Sequence, residues 1–450
     1  MTQFSDLSFI FRFLPVMCVL YYVTPYRLRM FTLSIASIIF YAAGDFRFLA
    51  LLLFAVIVNS LLAEGTFRKE KSFLIVAILF NVALLVTFKI LGQYVSGALF
   101  PLGISFYTFK MISYQIDLYK EEDDKRPAMI QTVSYFLMFP QIVQGPIMRF
   151  QEMRECAAIR KQAITDILPA VEEGLKYFAA GMFFKVMLAD RFSMCFNEIG
   201  QIGYESISTP LAYIGAAGYS LNLYYDFWGY SLMAAGIGVM FGFPFIENFH
   251  HPYAAASVSE FYRRWHMTLG SFFKDYVYIP LGGSKEGGVK TLRNLLIVWA
   301  LTGFWHGASF NFLLWGLLLF LIILSEKLLL RRLPKTLSTL ISRAHVLLLI
   351  PLTWVVFAIT DDKMLLSYFS RLFPFFNTPA VMNPSDYVRI VRDYAHVFIP
   401  GLLFLVPAIY DTIMKYKNKW YMTLLLYAGL WVSIYHAARS SGNPFMYVNF

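Results

Sequence analysis

Charge is what this chain has least of. Only 15% of its 450 residues are Asp, Glu, Lys or Arg, while 58% are hydrophobic and 18% aromatic. A soluble globular domain carries about 25% charged residues, so a water-soluble fold is excluded. Cysteine is also scarce: Cys18, Cys156 and Cys195 lie far apart, which leaves neither a disulfide framework nor a metal-thiolate site. The N-terminus has no basic n-region and no small-x-small cleavage site after its first apolar run, so that run is expected to remain as a helix. Internal repeats, low-complexity tracts and long linkers are absent as well, which points to a single membrane-embedded domain over 1–450.

What is there is a succession of apolar runs. Each is about 15 to 20 residues or longer, close to what a helix needs to cross a hydrocarbon core of roughly 30 Å. The expected fold class is an all-α polytopic membrane protein of about 11 transmembrane helices, supplemented by re-entrant and interfacial helices. The net charge of +10 does not form one basic face; Lys and Arg cluster in short loops, so the positive-inside rule explains them better than nucleic acid does.

In order, crossings are expected near Phe9–Val23, up to Tyr41 and Gly44-Asp45, at Phe48–Ala63 and at Phe73–Leu91. Basic loops after the first and third place the N-terminus outside. Pro101 and Gly103 then predict a break or re-entrant entry, the Lys120–Arg126 loop must be solvated, and Met129–Ile142 follows as an apolar run. The mixed stretch Arg149–Lys161 reads as a cytoplasmic surface helix. Glu172, Glu173, Lys176, Lys185, Asp190 and Arg191 are too many charges for lipid exposure, so Ile164–Phe196 should pack against other helices. Leu211–Phe245 reads as two runs hinged at Tyr224–Tyr230, with Asp226 near the hinge in a capping or structural hydrogen bond. The 254–293 stretch, carrying Arg263, Arg264, Lys274, Lys285, Lys290 and Arg293, belongs at the cytoplasmic face. Val346–Ile359, His396–Tyr410 and Tyr421–His436 supply three more crossings. Within the single domain, 1–99 are N-terminal helices, 100–325 a motif-bearing core and 326–450 C-terminal helices.

Two histidines stand out in Asn248–Asn311. Leu295 to Leu324 runs without a charge; as one helix it would be about 45 Å long, too long for the hydrocarbon core. The break is expected at Gly303 to Asn311, which buries His306 inside the protein, because irregular backbone at membrane depth survives only within protein or around a water-filled cavity. Gly303 and Gly307, four apart, let a neighbouring helix approach. His266 ends the helix-compatible segment Glu260–His266, in which Glu260 can pair with Arg263 or Arg264; Phe261 and Trp265, with Leu269 and Phe272 beyond it, form one apolar stripe at helical spacing. That describes an interfacial amphipathic helix with His266 at the edge of its apolar face. The bland alternative for both histidines is a structural imidazole satisfied by one hydrogen bond. The adjacent pair His250-His251 lacks a carboxylate or cysteine at ligand spacing, so no metal site is expected.

A buried, neutral imidazole can take a proton from an alcohol as that alcohol attacks an activated acyl group. No G-x-S-x-G elbow, Walker loop or G-x-G-x-x-G fingerprint stands beside the histidines, which favours direct transfer over a serine triad.

Several stretches, in order, resemble the membrane-bound O-acyltransferase superfamily. They are Phe100-Pro101-Leu102-Gly103 to Phe109, Phe139-Pro140-Gln141 with Gly145-Pro146-Ile147, Tyr225-Asp226-Phe227-Trp228-Gly229-Tyr230-Ser231, Asn248-Phe249 with Pro252-Tyr253, Arg263-Arg264-Trp265-His266, Asp275 to Gly283, Trp305-His306-Gly307-Ala308, and the ending Asn443 to Phe450. The bacterial branch containing the alginate O-acetyltransferase membrane subunit fits best. The D-alanyl transfer protein of teichoic acid modification is the nearest competitor, and a transporter or flippase of a lipid-linked sugar is the rival from another class. The sequence departs from the common pattern at Tyr262, where tryptophan is expected, and at His250-His251. The resemblance implies a helical fold around a central tunnel, with His306 and His266 as the catalytic histidines. It implies an acyl group, usually acetyl from cytoplasmic acyl-CoA, passed toward an extracytoplasmic polysaccharide, often with an esterase-like partner protein, in a bacterial plasma membrane. No cofactor beyond that donor is expected. Arg263, Arg264 and Lys274 could hold donor phosphates, with Trp265, Asp275, Trp305 and Asn311 as further donor-site residues; positive-inside charge accounts for the basic residues equally well.

Overall fold

The computed structural model describes residues 3–121, 126–156, 163–373, 375 and 381–439. The C-terminal motif Asn443–Phe450, the middle of the Lys120–Arg126 loop and residues 157–162 of the surface stretch lie outside these residues. The protein is all-α: among the described residues the only extended pairing is an isolated antiparallel bridge between Phe249 and Trp265.

The helices are α1 (Leu14–Val23), α2 (Arg29–Asp45), α3 (Leu49–Phe67), α4 (Lys71–Tyr94), α5 (Ile104–Lys120), α6 (Met129–Leu137), α7 (Phe139–Ile142), α8 (Phe150–Glu155), α9 (Ile164–Phe183), α10 (Asp190–Ile202), α11 (Thr209–Met240), α12 (Val258–Arg264), α13 (Met267–Phe273), α14 (Gly288–His306), α15 (Phe310–Leu328), α16 (Lys335–Ala344), α17 (Ile350–Ala358), α18 (Asp362–Leu372), α19 (Asp386–Leu403), α20 (Pro407–Lys415) and α21 (Trp420–Arg439). Among the described residues, four helical stretches are long and apolar enough to cross a membrane: Tyr26–Phe67, Lys71–Tyr94, Phe310–Leu328 and Lys335–Ala358. The pair α19 and α20, bent by 71° at Pro407, makes a fifth if it is one broken span. Within Tyr26–Phe67 the backbone leaves helical geometry at Asp45 (φ −150°, ψ 76°), at the expected turn.

Three expectations are corrected. The run Met129–Ile142 is not one helix: α6 has nine residues, about 14 Å and too short to cross, and Met138 interrupts it two residues before Pro140. There is no hinge at Tyr224–Tyr230, because α11 runs unbroken for 32 residues. Aromatic residues carry only a small helix penalty and one interior glycine is tolerated, so that cluster does not break the helix. Nor is Glu260–Phe272 a continuous helix, since it breaks at Trp265 and His266.

The chain forms two compact units. The first comprises 1–182, 230–247 and 426–450. Its core gathers Phe4, Phe9, Phe13, Phe40 and Phe139, with ring centroids 5.0 to 6.4 Å apart. Asn59 and Asn81, fully buried on α3 and α4, exchange amide hydrogen bonds of 2.7 and 3.2 Å, which satisfies polar groups that lipid could not.

The second unit comprises 183–229 and 248–425 and holds both histidines. Its centre is the α14–α15 hairpin, in which the helices nearly touch. A β-carbon at Gly303 would lie 2.5 Å from the Phe312 carbonyl oxygen, and one at Gly316 the same distance from that of Trp299. The expected close approach at Gly303 is therefore to the helix that follows it.

Candidate functional site

His306 is the last residue of α14, Gly307 leaves helical geometry, and α15 starts at Phe310. The break falls inside the expected Gly303–Asn311 window. His306 is buried, and its ring packs against Trp305 (4.4 Å), Phe357 (4.9 Å) and Trp315 (5.1 Å). Asn311, expected as a donor-site residue, donates through Nδ2 to the carbonyls of Val356 (3.3 Å) and Phe357 (3.4 Å). These are end-of-helix oxygens of α17 that lack intrahelical partners, so Asn311 holds in place the helix end that carries Phe357.

His266 is placed by a different device. Helix α12 starts where Ser257 accepts from the Glu260 amide (3.1 Å) and Glu326 accepts from the amides of Val258 (2.9 Å) and Ser259 (3.4 Å), satisfying free N–H groups. It stops at Arg264; Trp265 is extended, and His266 adopts a left-handed conformation (φ 47°) before α13 begins. Such a conformation costs a residue with a side chain about 1 kcal/mol or more, so the surroundings must impose it. They do so by pairing the kink with an earlier segment. His250 N donates to Arg264 O and Met267 N to Asn248 O, both at 2.9 Å, around the Phe249–Trp265 bridge. His266 is thus buried at a kink and does not lie on the edge of an amphipathic helix. The stripe Phe261, Trp265, Leu269 and Phe272 is buried, but from two helices and the link between them.

The His266 ring meets Phe227 (4.6 Å) and Trp305 (6.0 Å), so Trp305 lies against both histidines. Burial pushes the His266 imidazole down to about 3, which keeps it neutral at physiological pH. Asp226, next to Phe227, makes the structural hydrogen bond expected of it: Lys185 Nζ donates to it at 2.7 Å and also reaches the half-buried Asp190 at 2.8 Å.

The other expected residues spread outward. Trp265 is buried against Phe249, Phe261 and Trp354, with centroids 5.0 to 5.5 Å away. Arg264 pairs with Glu260 at 2.6 Å, the expected i, i+4 partner. Arg263 is exposed, Lys274 is exposed and Asp275 half-buried on a short π-helical turn. Lys327, at the end of α15, lies close enough to Arg263 for the two cations to repel. His251, also left-handed (φ 48°), donates through Nε2 to the Asp411 carboxylate at 2.8 Å. Among the described residues no group of three or more His, Cys, Asp or Glu side chains could hold a metal ion.

Asn248, Phe227, Trp315, Phe357 and Lys327 had no assigned role in the sequence. Asn248 and Phe227 lay inside recognised motifs, but their pairing with His266 is non-local. Lys327 was one more charge at the end of an apolar run.

Two buried histidines that share a tryptophan thus lie in an all-helical chain that carries helices long and apolar enough to cross a membrane. The family model described as MBOAT, membrane-bound O-acyltransferase family, matches residues 48–370, and the chain belongs to that family. It is 35% identical over 336 residues to the probable alginate O-acetylase AlgI of Pseudomonas syringae pv. tomato, covering 70% of this chain and 64% of that protein. It is 32% identical over 363 residues to the peptidoglycan O-acetyltransferase of Helicobacter pylori, covering 70% and 68%. To the teichoic acid D-alanyltransferase of Bacillus subtilis it is 30% identical over 230 residues, covering 48% and 56%. The chain thus matches somewhat less than two thirds of the first relative's length.

Proposed function

We propose that this chain passes an acetyl group from cytoplasmic acetyl-CoA across a bacterial plasma membrane to hydroxyls of an extracytoplasmic polysaccharide. The observation that carries this reading is the burial of His306 at a helix break, in an aromatic pocket that shares Trp305 with His266. The His306 imidazole takes the proton of an acceptor hydroxyl as its oxygen bonds to the thioester carbonyl carbon. The carbon–sulfur bond then breaks, and the departing thiolate receives that proton. The aromatic walls exclude water, which would otherwise hydrolyse the thioester.

The alginate and peptidoglycan acetylating relatives support acetyl as the group and a cell-surface polymer as the acceptor. Arg263 with Lys327 supplies the cationic edge suited to donor phosphates, while Arg264 is already paired with Glu260. An esterase-like partner outside the membrane would complete delivery to the polymer, and the N-terminus would face the same side.

The test is mild alkaline release of ester-linked groups from the surface of cells carrying wild type or His306→Ala. Loss of acetate supports the proposal. Loss of D-alanine would assign the teichoic acid reaction instead, and an unchanged surface together with no acyl-CoA thioester consumption in proteoliposomes would assign transport without chemistry.

A further inference from the structure

Three hydrogen bonds converge on one atom of Asn248. Its side-chain Oδ1 faces His266 Nδ1 (3.1 Å), the Thr268 backbone N–H (3.3 Å) and the Thr268 hydroxyl (2.9 Å). A backbone N–H can only donate, so the Asn248 atom at the junction must be the carbonyl oxygen; the flipped amide would set N–H against N–H. An oxygen there can only accept, so His266 Nδ1 carries a proton. A neutral imidazole has one N–H, which leaves the lone pair on Nε2. Asn248 is itself held, because its backbone carbonyl accepts from Met267 N at 2.9 Å on the other side of the histidine. The left-handed kink at His266 turns the ring toward this amide and away from the stripe of a continuous helix.

We propose that Asn248 is a positioning residue that fixes the Nδ1–H tautomer of His266, so that Nε2 meets the reacting groups as a hydrogen-bond acceptor and never as an oxyanion donor. The inference rests on the proposed acyl transfer at this site. It divides the labour between the histidines: His266 receives a hydrogen bond from the hydroxyl or thiol and orients it, and stabilisation of the developing oxyanion falls to other donors. Deep burial, which disfavours the imidazolium, supports the same assignment.

The experiment is 15N NMR of the full-length protein, labelled at histidine and reconstituted in nanodiscs, with His266→Gln identifying the resonance. A pyrrole-type signal at Nδ1 and a pyridine-type signal at Nε2 are expected at neutral pH. Asn248→Leu, of similar shape, should mix the tautomers and lower kcat by about tenfold or more while leaving the donor KM within about twofold, because a wrong tautomer harms turnover more than binding. Thr268→Val removes a bond to the same oxygen without touching the imidazole, so its tautomer and kcat should match wild type; loss of both there would mean that the segment is merely structural and would overturn the proposal. An Nε2–H signal in wild type overturns it directly. The expected tautomer together with full activity of His266→Gln would leave the tautomer assignment standing and would overturn the catalytic reading beneath it.

Discussion

His266 and His306 share one wall, the Trp305 ring, whose centroid lies 6.0 Å from the first imidazole and 4.4 Å from the second. The two reach it by unrelated routes, one at a strained kink between short helices and the other at the end of a long one. A side chain common to both makes any transfer between them a matter of local geometry, and several consequences can be measured.

His306→Ala should lower acyl-ester formation by about 100-fold or more, the usual worth of a positioned general base, with expression and melting temperature close to wild type. Acetate released by mild base and a detergent melting curve check the two halves. A mutant that fails to fold leaves His306 with a structural role.

Arg263→Glu should raise the apparent donor KM by about tenfold with little change in kcat, and Lys327→Glu should act in the same direction. Arg264→Glu behaves differently, since it sets a second carboxylate beside Glu260 and should cost stability. Steady-state kinetics with acetyl-CoA distinguish these outcomes, and an unchanged KM in Arg263→Glu returns that residue to a topological role.

Lys185→Met should destabilise the protein by about 3 to 5 kcal/mol, because the buried Asp226 and the half-buried Asp190 would lose this cation. Adding Asp226→Leu and Asp190→Leu should recover much of the loss. Denaturant or thermal unfolding in detergent reads both, and a harmless single substitution would show that the cluster does not hold α11 in place.

Gly303→Val should separate α14 from α15, since even a β-carbon would lie 2.5 Å from the Phe312 carbonyl oxygen. Overpacking of this kind costs about 1 to 3 kcal/mol and should displace His306, so both melting temperature and activity should fall.

The pH dependence of stability follows from His266. Its folded pKa is depressed by burial to about 3, from the ordinary imidazole value of 6.5. Above 6.5 the group is neutral in both states and stability is independent of it. As pH falls from 6.5 toward 3, the unfolded chain takes up a proton that the folded chain refuses, so stability falls. His266→Gln should flatten that part of the melting-temperature profile, and an unaltered slope would place the titration elsewhere.

The legible features were those carried by local pattern. An uncharged run too long for one crossing, with glycines and an asparagine in its middle, marked the break beside His306, and Asp45 marked the turn between α2 and α3. The failures share a cause. Glu260–Phe272 has helical periodicity, and so a kink at His266 is invisible until Asn248 and Phe249 pair with it from 18 and 16 residues upstream. Tyr224–Tyr230 looked like a hinge because its aromatic and polar residues interrupt an apolar run, yet Lys185 neutralises Asp226 from 41 residues away and the helix continues.

The sequence by itself determined that the chain lives in a membrane, that it is helical, and that His306 sits at a break, because hydrophobic length and helix-breaking composition act over one or two turns. Only the tertiary structure decided that His266 is kinked and buried, which tautomer it holds, and that Trp305 joins it to His306. Those depend on hydrogen bonds and ring contacts between segments distant in the chain, and no local periodicity encodes which distant partner will satisfy a buried polar group.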